Sequence, residues 1–62
     1  MPRELLRLPY PTAELILLQY PDRYYQVDIY WRTLGYYEQL IRTDRFDLAQ
    51  SAILKVAQRL FL

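Results

Sequence analysis

The chain has 62 residues with a net charge of +1, is 53% hydrophobic and 16% aromatic, and contains neither cysteine nor histidine. A body this small buries only about 60% of the surface its unfolded form exposes, so its apolar content exceeds what one such domain hides and points to an interface. The charge gives no field strong enough to gather nucleic acid, and the missing cysteine and histidine exclude disulfides, thiolate metal sites, the usual neutral-pH base and the commonest metal ligand.

Residues 1–11, MPRELLRLPYP, hold three of the four prolines. Pro9 and Pro11 keep the backbone around Tyr10 extended. The segment reads as an extended N-terminal arm that grips a surface through Leu5, Leu6, Leu8 and Tyr10, and residues 12–62 read as a single helical domain. Thr12 is placed to cap a short helix from Ala13 to Tyr20, with Glu14 at its positive end. Leu15, Ile16, Leu17 and Leu18 are too dense for a one-sided helix, so this piece is expected to be sandwiched. Pro21 ends it, and Asp22 is positioned to cap a central helix.

The stretch from Asp22 to Arg42 holds five of the seven tyrosines and the only tryptophan. On a helical wheel Tyr24, Val27, Tyr30, Trp31, Leu34, Tyr37 and Ile41 form one stripe with three- and four-residue steps, which predicts a core-facing helix side. Tyr25, Ile29, Tyr36 and Leu40 form a second apolar stripe opposite, flanked by Asp28 and Arg32 as a helix-surface pair. The competing pattern is a strand, since Tyr25, Val27, Ile29 and Trp31 alternate with Gln26, Asp28, Tyr30 and Arg32, and Pro21 with Asp22 would then turn a β-hairpin over 15–32. Gly35 weakens a helix by about 1 kcal/mol against alanine.

The run Arg42 to Arg45 is polar and turns the chain back, with Thr43 or Asp44 capping the next helix. From Phe46 onward the stripe of Phe46, Ala49, Ala52, Ile53, Val56, Ala57 and Leu60 predicts a one-sided amphipathic helix, with Asp47 near its start and Lys55 and Arg59 near its end. The sequence therefore predicts an all-α fold: a short first helix, a long central helix, and a C-terminal amphipathic helix packed on it antiparallel as a helical hairpin. The alternative is an α+β fold with the 15–32 hairpin followed by helices.

Trp31, Leu34 and Gly35, followed by Phe46, Asp47 and Ala49, are similar to the helix-turn-helix unit of tetratricopeptide repeats and imply αα packing. Glu38 stands where that family has a tyrosine and the closing proline is absent. No peptide-binding residue carries over.

The chemistry-bearing residues point to structure. Ser51 falls on the polar side of the last helix, and Asp44 with Asp47 caps a helix start in place of any calcium-loop spacing. One glycine cannot build a phosphate cradle, and no cofactor, metal or catalytic site is expected. Seven arginines against one lysine suit interface pairing and stacking on tyrosine. The expected function is a non-enzymatic protein–protein interaction module, a small subunit or adaptor. It would self-associate or dock through Tyr25, Ile29, Arg32, Tyr36 and Leu40 with Leu5, Leu8 and Tyr10 of the arm. A symmetric homodimer about the central helix is the commonest solution to an extra apolar face. The alternative is an RNA or single-stranded DNA binder using arginine and tyrosine, against which the near-neutral charge weighs. The longest apolar run, Leu15 to Leu18, falls far short of the roughly 20 residues of a membrane span, and the first residues lack a signal-peptide core. A cytoplasmic location is the expectation.

Overall fold

A computed structural model describes residues 1–61. Residue 62, the last of the expected helical domain, lies outside the described residues.

Four strands, β1 (Arg3–Pro9), β2 (Ala13–Gln19), β3 (Tyr25–Trp31) and β4 (Tyr36–Thr43), precede one helix, α1 (Phe46–Phe61). The strands form a single antiparallel sheet in the order β1-β2-β3-β4, a plain meander. The fold is thus α+β and not all-α. The stretches read as the first and central helices are β2, β3 and β4, so neither the long helix nor the helical hairpin exists. The alternative hairpin over 15–32 matches β2 and β3, but a strand flanks it on each side and one helix completes the chain. The αα packing implied by the likeness to tetratricopeptide repeats is absent too, because Trp31 closes β3, Leu34 and Gly35 lie on the turn after it, and only Phe46, Asp47 and Ala49 lie in a helix.

Strand parity explains the core. Ala13, Leu15 and Leu17 of β2 stand opposite Trp31, Ile29 and Val27 of β3, and directly opposed residues share one face of a sheet. All of these but Trp31 form one buried cluster with Ala49 and Ile53 of α1, joined by half-buried Trp31, Tyr25, Leu40, Ile41, Val56, Ala57 and Leu60. The amphipathic stripe expected from Phe46 onward is the side that α1 lays on this face, with Ala49 fully buried. The dense run Leu15 to Leu18 needs no sandwich of helices. Leu15 and Leu17 enter the core, while Ile16 is buried on the open face, where it stands opposite Arg7 and Asp28.

The turns are built from local chemistry. Between β2 and β3 the Arg23 N–H donates to the Tyr20 carbonyl at 3.1 Å and the Tyr20 N–H to the Tyr24 carbonyl at 2.8 Å. Pro21 suits the second position of such a turn, and Arg23 takes the left-handed φ of 72° that lets the strand resume. Asp22, expected to cap a helix, accepts from the Tyr24 N–H at 3.1 Å within this turn. Between β3 and β4, Gly35 at φ 69° donates its N–H to the Trp31 carbonyl at 2.7 Å. Leu34, counted in the core stripe of the expected helix, sits on this turn and is 66% exposed. Thr43 accepts from the Arg45 N–H at 3.1 Å, shaping the approach to α1.

Candidate functional site

α1 comes directly after β4 and lies over β4, β3 and β2. Among the described residues no Cα of α1 comes within 8 Å of β1. β1 is therefore an edge strand whose outer rim is unpaired and whose helix-side surface lacks a lid. Leu5 and Leu6 are 37% and 42% exposed there, while Leu8 and Tyr10 pack against the margin of the core.

A bulge shapes this edge. Glu4 stands opposite Leu18 and Leu6 opposite Leu17, which leaves Leu5 as the extra residue. The shift places Arg3, Leu6 and Leu8 on the helix side, opposite Gln19, Leu17 and Leu15, and Glu4 and Arg7 together on the open side, opposite Leu18 and Ile16. Arg7 meets Glu4 at 2.7 Å and Glu14 of β2 at 2.9 Å. Arg32 reaches the other Glu14 oxygen at 3.4 Å, closing a chain of alternating charges that runs from β1 through β2 to the residue just past β3. Bonding to Arg7 holds the Glu4 carboxyl below its ordinary range, and Arg7 with Arg32 does the same for Glu14.

At the far end of the open face Arg42 pairs with Asp22 at 2.6 Å and lies over the Tyr20 and Tyr24 rings, 4.5 and 5.1 Å from their centroids. Tyr30 and Tyr37 stack across β3 and β4 with centroids 4.7 Å apart. The β4 rim also has a bulge, between Ile41 and Gln39, and carries Glu38 and Arg42, but it differs from that of β1 in being covered by α1 on its helix side.

The residues expected at an interface do not form one surface. Ile29 is 2% exposed in the centre of the core, and Tyr25 is half-buried with its ring against Phe46. Arg32 is a clamp. It donates from Nη1 to the Tyr10 carbonyl and, at 3.3 Å, to the Pro11 carbonyl, while its backbone N–H donates to the Thr12 carbonyl at 3.1 Å. The expected Asp28–Arg32 helix pair gives way to this contact, and Asp28 instead accepts from Gln26 at 2.9 Å. Tyr36 is exposed at the start of β4 and Leu40 is half-buried at its bulge, on the opposite edge of the sheet from Leu5, Leu8 and Tyr10. Only those last three stand together, at β1. Leu6, Glu4 and Arg7 join them there. The signal for Glu4 and Arg7 lay out of reach of periodicity, since three residues of regular strand would have put them on opposite faces.

Among the described residues no helix is long and apolar enough to cross a membrane. No family model, no curated protein and no solved structure matches this chain.

Proposed function

We propose that the chain is a non-enzymatic interaction module, a small subunit or adaptor working in the cytoplasm, that assembles through the rim of β1 and the leucines beside it. The observation that carries this is the reach of α1: it covers three strands and leaves β1 open, with Leu5 and Leu6 exposed along an unpaired edge. An edge of this kind accepts another strand by main-chain hydrogen bonds, and side chains at alternate positions supply selectivity. The leucines add apolar area that a lone domain would cover.

Binding of RNA or single-stranded DNA is less well supported. Arg7, Arg32, Arg42 and Arg45 each sit against a carboxylate of the same chain, which lowers the positive potential that a phosphate backbone would meet there.

Amide exchange tests the proposal. Slow exchange of the outward amides of Arg3–Leu8 in solution, accelerated by Leu6→Arg, is the expected outcome. Fast exchange of these amides in both purified protein and cell extract, together with a single-chain mass, would remove it.

A further inference from the structure

We infer that the occupant of the β1 rim is a second copy of this chain, paired antiparallel about a two-fold axis that passes between Leu5 and Leu6. This rests on the reading of β1 as the docking edge and names its partner.

Directly opposed residues in an antiparallel ladder must point to the same face. With Arg3, Leu6 and Leu8 on the helix side and Glu4 and Arg7 on the open side, the symmetric register that pairs the whole of Arg3–Leu8 with its copy matches faces at both of its outer pairs. It sets Arg3 against the partner's Leu8, Glu4 against the partner's Arg7, and Leu5 against the partner's Leu6. A slip of one residue either way sets helix-side against open-side positions.

Three features of the strand fit that register. The charges are self-complementary, because each Glu4 carboxylate faces the partner's Arg7 guanidinium and the two-fold axis repeats the pair. The bulge is self-complementary as well. A regular strand laid on β1 would be thrown out of phase at Leu5, whereas a copy brings its own bulge to the place that faces it. Pro2 then lies opposite the partner's Pro9, so residues without an N–H donor end the shared ladder at both ends. The two four-stranded sheets join into one, both helices lie on the same side, and Leu6 and Leu8 with their symmetry mates floor the channel between them.

The test uses charge reversal by mixing. Glu4→Arg alone sets arginine against the partner's Arg7, and Arg7→Glu alone sets glutamate against the partner's Glu4. Each variant by itself is expected to lose the dimer, with a dissociation constant raised by at least about tenfold, as read by native mass spectrometry. An equimolar mixture of the two variants should restore a heterodimer, which repair of a contact within one chain cannot do. Wild-type protein found at single-chain mass up to about 100 µM, or folded variants whose mixture stays monomeric, would overturn the inference. Should either variant fail to fold, dilution of the wild type decides: amide exchange across Arg3–Leu8 must rise in step with loss of dimer mass, and a dimer with unprotected β1 amides refutes the pairing. A monomer when pure whose β1 amides are protected in cell extract removes the second copy and leaves the docking edge standing. Fast exchange in both settings removes both.

Discussion

The Tyr25 and Phe46 rings meet edge to face, their centroids 5.3 Å apart and their planes at 68°, and so tie the first turn of α1 to β3. Such a pair contributes about 0.5–1.5 kcal/mol beyond the area it buries. Phe46→Ala should lower the urea midpoint, and a double-mutant cycle with Tyr25→Leu should show coupling of about 1 kcal/mol. Leu54→Ala, on the exposed outer side of the same helix, should fall within about 0.5 kcal/mol of wild type. Equal losses at Phe46 and Leu54 would show that the ring contact does not anchor the helix.

Ile29 provides a sharper contrast, because its side chain is packed between Leu15, Val27 and the underside of α1 as part of the central cluster. Ile29→Ala should cost about 2–5 kcal/mol. That is a large share of the roughly 5–15 kcal/mol that holds small domains folded. Ile29→Arg should unfold the chain, visible as lost near-ultraviolet circular dichroism. A folded monomer carrying arginine at this position would place Ile29 on a surface instead.

α1 was legible because its stripe has one period and one side. β3 was not, because two patterns overlap in it. Val27, Ile29 and Trp31 alternate onto the helix-covered face, while Tyr30 points to the open face and stacks on Tyr37. Those extra rings supply false three- and four-residue steps. The alternation stops at Trp31 because the strand itself stops there, and Leu34 extended the apparent stripe only by sitting on the turn. Leu5, Leu8 and Tyr10 stood out by composition, but the arm expected there is in the structure β1, a strand of the sheet itself, with Tyr10 just past its end. The pairing of Glu4 with Arg7 depends on a bulge, and a bulge leaves no mark in hydrophobic spacing.

The two left-handed turn residues make a matched pair of opposite sign. Arg23 adopts φ 72° with a side chain attached, and Gly35 adopts φ 69° without one. A side chain in this region costs about 1 kcal/mol. Arg23→Gly should therefore stabilise the fold or leave it unchanged, the added freedom of the unfolded chain offsetting part of the relief. Gly35→Ala should destabilise it by about 1 kcal/mol through the backbone alone, since an added Cβ would meet nothing within 4 Å. Thermal melts of the two variants should shift in different directions or by clearly different amounts. A Gly35→Ala protein as stable as wild type would mean that the turn between β3 and β4 relaxes to a different conformation.

Acid should weaken the fold through the carboxylates that bind arginine. Arg7 lowers the pKa of Glu4, Arg7 and Arg32 lower that of Glu14, and Arg45 lowers that of Asp47, from ordinary values of 4.5, 4.5 and 3.8. Each folded value lies below its unfolded one, so the unfolded chain binds more protons across that interval and stability falls as pH falls. The contribution is complete above the ordinary carboxylate range and fades as pH drops through the lowered values. Arg7 stays charged throughout, its own pKa raised by the same two carboxylates. All three carboxylates are solvent-accessible, so the effect should be modest and should shrink with added salt. Urea midpoints between pH 7 and pH 3 should show a plateau and then a decline. Glu14→Gln, which removes the carboxylate shared by two arginines, should lower the plateau and flatten the decline, because a side chain that cannot titrate responds to no proton. A Glu14→Gln protein that loses stability in acid as steeply as wild type would assign the decline to other carboxylates.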